Sequence, residues 1–434
     1  MWHPAHRETR RESRKPDTDS QGILVAMAIS DINTYAHLTD ADVEALGHEL
    51  DAIRREIEAD RGLRDVRYLH RTIKLQRLLE VSGRVALFGS NRRSLWLLGT
   101  TALGLAKIIE NMELGHNVMH GQWDWVNDPE IHSTTYEWDM VCASPHWKHS
   151  HNYIHHKYTN VVGMDDDVGY KVLRVTRDEP WEPRRLFQPI ANLVLASTFE
   201  WGIGLHDIGL REVIDGTKPR DEGIAKVKEF GRKIFHQVGK DYVLYPALTG
   251  PNFTHTLTAN LTANLVRNLW AYVVIFCGHF PDGAEKFTVD TLEHETQGQW
   301  YLRQMLGSAN FHAGPVMAFM SGNLCYQIEH HLFPDLPSNR LAEISVRVRQ
   351  LCDKYDLPYT TGSLPVQYLK TLRTINKLAL PDELLHDTAD DAPETASERR
   401  FASLPAPQGL RTSGGLKTAI AQLREQRKER KAQR

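Results

Sequence analysis

The chain of 434 residues has only four cysteines, Cys142, Cys277, Cys325 and Cys352, and no two of them form a C-x-x-C pair. That excludes a disulfide framework, a zinc knuckle and a thiolate iron–sulfur site, and the four read as reduced, packed thiols. Charge of one sign is lacking as well. Lys and Arg number 52 against 55 Asp and Glu, a formal net charge of −3. Such a balance leaves no basic footprint, so no nucleic-acid partner is expected. No H-P-G-G heme segment, no G-x-G-x-x-G turn and no H-E-x-x-H helix occurs. A fused heme domain, a nucleotide-cofactor fingerprint and a hydrolytic zinc helix are therefore excluded as sequence readings. Clean hydrophobic runs are missing too, and mean hydropathy is negative, although polar ends dilute that average.

The chain divides into four parts. Residues 1–30 read as a disordered basic leader. The apolar run at 23–29 is too short and too late for a secretory signal, and Met27 would serve as well for a start. Residues 31–93 read as a cytoplasmic amphipathic helical segment. Thr39 and Asp42 make a capping-box start, after which Val43, Leu46, Leu50, Ile53 and Ile57 recur at helical spacing until Gly62. A second helical pattern runs from Tyr68 to about Phe88. Residues 94–382 hold three stretches near the ~20 residues that cross a ~30 Å hydrocarbon core. They are 94–112, 186–205 with only Glu200 charged, and 261–280 with only Arg267 charged. Segment 241–260 reads as the other arm of a hairpin broken at Gly250-Pro251. Buried helices of a large soluble all-α protein fit the same pattern, and hydropathy does not choose between the two. The Lys- and Arg-rich segment 211–240 reads as a loop that the positive-inside rule keeps cytoplasmic. One region flanking it must then be a hairpin or lie in the interface. Residues 383–434 form a Pro/Ala/Ser-rich linker and a basic tail, either solvated or drawn to anionic headgroups.

Against these absences stand 22 histidines, several of them clustered. His116 and His120 lie four apart in "GHNVMHGQWDW". His151 precedes the doublet His155-His156 by four in "WKHSHNYIHHKYTN". Gln327 precedes His330-His331 by three in "GNLCYQIEHHLFPDLP". On an α-helix, residues i and i+4 share a face, so each spacing aims two groups at one point. The second ring of a doublet turns by about 100° and can serve a neighbouring metal. Seven histidines exceed the needs of one metal, so two are expected, and neutral imidazoles without cysteine suit iron. Two irons with O2 can attack an unactivated C–H bond, which no side chain can do.

The boxes "HNVMH", "HNYIHH" and "QIEHH" resemble, in order, spacing and placement, the three histidine boxes of the membrane-bound fatty acid desaturases. With "HHKYTN" and "GHFPDGAEKF" the flanking text is similar to actinobacterial acyl-CoA 9-desaturases. The resemblance covers residues 38–382. It implies an all-α fold of multi-pass transmembrane helices, with a cytoplasmic helical domain carrying a di-iron site. It implies two non-heme Fe held by His116, His120, His151, His155, His156, His279, His330 and His331, with no catalytic residue beyond the ligands. His279, at the end of the third apolar stretch, matches a family position between boxes two and three; otherwise it is a helix-end histidine on the macrodipole. Gln327 stands where other members have histidine, and would ligate weakly or through a water. The implied reaction is O2-dependent insertion of a cis double bond at carbon 9 of a long-chain acyl-CoA such as stearoyl-CoA. It would run at the cytoplasmic face of the cell membrane, with electrons from a separate NAD(P)H-dependent reductase carrying flavin or iron–sulfur. A hydroxylase or ketolase on the same centre, and a non-catalytic membrane metal-binding protein, are the alternatives. His149 and His312 read as bystanders. Asp165, Asp166 and Asp167 orient ligand imidazoles or form a solvated turn. Trp123 and Trp125 are expected to pack at the bilayer interface.

Overall fold

The structure, a computed structural model, describes residues 27–209, 216, 219–385 and 392–395. The leader up to residue 26 and the tail beyond residue 395 lie outside the described residues.

Helix α1, Asp40–Ala59, starts at the expected capping box. Thr39 Oγ1 accepts from the Asp42 amide at 3.2 Å, and Asp42 Oδ2 accepts from the Thr39 amide at 3.1 Å. Its buried face is the expected one, Val43, Leu46, Leu50, Ile53 and Ile57. Helix α2, Leu63–Leu87, begins five residues before Tyr68, because Asp65 accepts from the Gly62 amide at 3.0 Å and opens the helix there. A short turn returns the chain along α3, Arg93–Ile108. This helix does not stop. It widens into a π-helical segment, Ile109–His116, and runs on to Met119.

Two expectations fail in the middle of the chain. The stretch 186–205 is not one span but two ten-residue helices, α4 Gln188–Ser197 and α5 Phe199–Ile208. Thr198 separates them at φ −114°, ψ 31°. The hydroxyls of Ser197 and Thr198 bond back to Leu193 O and Val194 O at 2.8 and 2.7 Å, a pattern that competes with helix continuation. The described part of the basic segment 211–240 is not a loop. From Arg220 to Val238 it forms helix α6, with Asp221 and Glu222 in its first turn. The chain continues through π-helical Gly239–Leu244 and α7, Tyr245–Leu248. It turns at Gly250, whose φ of +56° an L side chain rarely adopts. Helix α8, Phe253–His279, follows. The hairpin broken at Gly250-Pro251 is thus present.

Among the described residues one helix, Gly250–His279, is long and apolar enough to cross a membrane. Large apolar side chains are exposed around it: Leu78 and Val85 on α2, Leu98 on α3, Leu193 on α4, Val243, and Leu265 on α8. Charges inside this bundle are paired. Lys107 meets Asp241 at 2.7 Å, Arg84 reaches the same carboxylate at 3.4 Å, and Arg267 pairs with Glu200. Burying such groups singly would cost several kcal/mol each.

Farther along the chain come α9 Gln297–Gly307, α10 Gln327–Leu332, α11 Leu341–Lys354 and α12 Leu364–Lys377. Two three-residue strands, β1 Asn310–His312 and β2 Thr361–Ser363, pair in parallel with Asn310 opposite Thr361. The fold is otherwise helical among the described residues, as expected. The four cysteines are buried free thiols. Trp123 is not interfacial. It is buried with Leu69, Ile109 and Val118, its ring 6.5 Å from that of Tyr68. Trp125 donates its Nε1 proton to Gln122 O at 3.0 Å, with Arg61 over its ring.

Candidate metal centre

Box one sits where the π-helical end of α3 closes, box two on a second π-helical segment, Lys148–His155, and box three on α10. A π-helix carries more residues per turn than an α-helix, and such insertions are frequent at functional sites. The widening departs from the α-helical geometry expected for box two. His151 therefore faces both members of the doublet, with ring centroids 5.0 Å from His155 and 5.0 Å from His156.

The eight expected histidines converge on one buried volume. Ring nitrogens of His116, His120, His151 and His330 lie within 4.8 Å of one another, and so do those of His155, His279 and His331. His156 sits between the groups, its ring 4.6 Å from His120, 4.9 Å from His330 and 4.3 Å from His331. Both doublets are split. His156 and His330 face His120, whereas His155 and His331 face His279 at 4.7 and 4.8 Å. The Gln327 amide lies 3.0 Å from His279 Nε2, and its oxygen has no partner. His149 is exposed and stacks on Tyr153, and His312 is exposed on β1, so neither joins the cluster.

The outer nitrogens are held. His116 Nδ1 meets Asn117 Oδ1 at 3.0 Å, and His155 Nδ1 meets Asp165 at 3.0 Å. His151 Nδ1 meets Asp167 at 3.3 Å, and His331 Nδ1 meets Gln304 Oε1 at 3.1 Å. Of the three aspartates, Asp165 and Asp167 thus orient imidazoles, whereas Asp166 points outward to Lys171 at 3.0 Å. Asn117, Gln304 and Thr159, 3.2 Å from His331 Nδ1, are partners that the sequence did not single out. His206 is another, 3.2 Å from Asp167. A signal for it existed, since it follows an apolar run directly, as His279 does.

The inner nitrogens are not held by protein. His120 Nε2, His151 Nε2, His279 Nδ1, His331 Nε2 and both ring nitrogens of His156 and His330 are buried without a partner. Each such group costs roughly 1–3 kcal/mol if left unpaired. Burial and neighbouring imidazoles hold His120, His156, His330 and His331 well below the usual histidine range, and burial with His151 pushes His116 down to about 3. His155 moves upward: burial lowers it, but Asp165 and Asp167 together more than offset that. Imidazoles with free inward nitrogens, four of them anchored at Nδ1 by Asn117, Asp167, Asp165 and Gln304, fit metal ions.

A narrow cavity of about 40 Å³ opens beside both groups. His116, His151, His279 and Gln327 form its metal-side wall, and Met112, Trp147, Phe199, Ile203, Ile275 and Leu324 make the rest largely apolar.

Residues 94–363 match the family model described as fatty acid desaturase. Over 414 residues the chain is 61% identical to the NADPH-dependent stearoyl-CoA 9-desaturase of Mycobacterium tuberculosis, covering 93% of this chain and 97% of that protein. It is 23% identical over 274 residues to the sn-1 linoleoyl-lipid 6-desaturase of a Synechocystis strain, covering 61% of this chain and 74% of that protein. Over 81 residues it is 41% identical to the acyl-lipid (9-3)-desaturase of Borago officinalis, covering 19% and 18%. No solved structure matches the chain significantly.

Proposed function

The chain belongs to the fatty acid desaturase family, and from that premise we propose that it inserts a cis double bond at carbon 9 of a saturated long-chain acyl-CoA, stearoyl-CoA foremost. The observation that carries this reading is the convergence of eight histidines on one buried volume, six of them with a ring nitrogen that no protein group meets, beside a largely apolar cavity. The mycobacterial relative acts, by its name, on stearoyl-CoA at carbon 9 with NADPH.

His116, His120, His151, His156 and His330 would hold one iron. His155, His279 and His331 would hold the other, with Gln327 Oε1 as a direct or water-mediated ligand. Two irons so held supply the reduction of O2 to water that removes two hydrogens from an alkyl chain. The rest is done by the chain's own residues. Met112, Phe199, Ile203 and Leu324 exclude water and align the alkyl chain against the histidines. The bond position follows from how far the chain reaches into this cavity. Asp165, Asp167, Asn117 and Gln304 fix the ring planes. Electrons come from a separate NADPH-dependent reductase, since the sequence has neither a heme segment nor a nucleotide fingerprint of its own.

The membrane path follows from the exposed apolar side chains. Helix α8 spans the bilayer, and the outer parts of α2 and α3 and the arm 239–248 pack beside it at membrane depth, which moves the membrane boundary into the segment 31–93. The short helices α4 and α5 lie at its interface. The boxes then face the cytoplasm. Alkaline carbonate washing should leave the protein in membranes, and recovery in the wash would remove this path.

Membranes holding the protein, given stearoyl-CoA, O2, NADPH and a competent reductase, should yield oleoyl product lighter by two hydrogens. A product carrying one oxygen from labelled O2 would make it a hydroxylase instead.

A further inference from the structure

One imidazole on the cavity wall belongs to neither metal group. His206, on α5, lines the cavity beside Asp167, Tyr170 and Phe199, and its side chain is almost wholly buried. Its Nε2 lies 3.2 Å from Asp167 Oδ1. The other oxygen of the same carboxylate, Oδ2, lies 3.3 Å from His151 Nδ1 and 3.8 Å from His155 Nδ1. One carboxylate therefore bridges a histidine of the metal cluster and a histidine outside it. Tyr170 closes the far side, its ring 5.5 Å from that of His206. The next residue, Asp207, accepts from Ser150 Oγ at 2.5 Å, so α5 grips the box-two segment at two successive positions, 150 directly and 151 through Asp167.

We propose that His206 is a positioning residue of the metal centre, which sets the ring of His151 by anchoring the Asp167 carboxylate. The proposal rests on the reading of His151 as an iron ligand. Free of His206, the carboxylate would have one buried oxygen without a partner and a free rotation about its χ2 bond. Its hold on the His151 N–H would then be lost for much of the time. Removing an outer partner of a metal-binding histidine typically costs about 10–100-fold in metal affinity.

The test uses the full chain in detergent, with iron affinity measured by competition against a chelator and the ligand field read by cobalt absorption. His206→Leu should weaken the weaker-bound iron by about 10–100-fold and shift the cobalt bands. His206→Gln, whose amide N–H can donate to the same oxygen, should restore both. Asp167→Asn should weaken iron as His206→Leu does, and the double substitution should lose no more than Asp167→Asn alone, since coupled residues are not additive. Parent-like iron affinity and bands in His206→Leu would overturn the proposal, as would equal losses in the Leu and Gln variants or additive losses in the double variant. A parent chain that binds no iron would overturn the metal reading, and this inference with it.

Discussion

Gly278 precedes His279 at the end of α8, and its lack of a side chain is what lets Gln327 lie against that helix. A Cβ built there would stand 2.7 Å from Gln327 Cγ and 2.8 Å from its Cδ, closer than real Cβ contacts allow. In Gly278→Ala the glutamine must recede by about 0.7 Å to reach ordinary contact. The helix cannot give way instead, because the Gly278 carbonyl accepts from the Ala309 amide at 2.8 Å and both neighbouring segments are buried. The amide nitrogen then leaves its 3.0 Å contact with His279 Nε2, and the unpartnered amide oxygen moves with it. A displacement near 1 Å at a reacting site costs on the order of 100-fold, so we predict a fall in turnover of roughly 10–100-fold. The strain of overpacking adds about 1–3 kcal/mol of destabilisation. Initial rates of oleoyl formation, iron per chain and the thermal midpoint in detergent would be measured on the same preparation. Gly278→Ala should resemble Gln327→Leu in rate and iron content. A variant with the parent's rate and iron, in a background where Gln327→Leu is impaired, would refute the tight contact and the reasoning built on it.

Changing His120, His155 or His331 to Ala should abolish turnover and lower iron content while the protein still inserts in membranes; one zinc and no iron in the parent would contradict the assignment. Gln327→His should keep more activity than Gln327→Leu, and equal activity in the two would mean that the amide touches neither metal nor its water. Arg340 is buried against Asp65, with bonds of 2.7 and 2.8 Å, and against Asp60 at 2.8 Å. Arg340→Met should therefore cost about 3–5 kcal/mol, because it leaves the buried Asp65 carboxylate without its cation, with the neutral donors Gly62 N and Asn339 Nδ2 remaining. A change below about 1 kcal/mol in chemical unfolding would show that those neutral donors suffice for Asp65.

Local signals carried much of the helical framework. The capping box at Thr39 and the apolar period through Ile57 are short-range patterns, and α1 follows both. The Gly250-Pro251 break was legible for the same reason, since glycine and proline punctuate the chain whatever surrounds it. The stretch 186–205 misled because composition counts apolar residues without seeing hydroxyls that bond backward at Ser197 and Thr198. The basic segment misled in another way. Charge alone suggested a loop, but Ala, Lys, Glu, Phe and Ile at helical spacing, with acids in the first turn, make α6 a helix whose lysines pair across it. Lys233 meets Glu137 at 2.9 Å, and Lys240, about two turns farther on and just past the end of α6, meets Asp139.

The histidines were legible because metal-binding spacing is itself a short-range pattern. What surrounds them was not, because the partners of the outer nitrogens lie far along the chain. Gln304 reaches His331 from 27 residues away and Thr159 from 172, and no local period announces either. Helix widening is equally hidden, since an i+4 spacing reads the same whether the turn is α or π. Yet the π turn at Lys148–His155 brings His151 as near to His156 as to His155. With α-helical spacing, the doublet's second ring would swing about 100° off that face, away from His120 and His330. The sequence thus names the imidazoles, while the backbone distortion decides which of them share a point. Gln327 illustrates the same division. Its helix, α10, is regular, and the position needs only an inward polar atom beside His279.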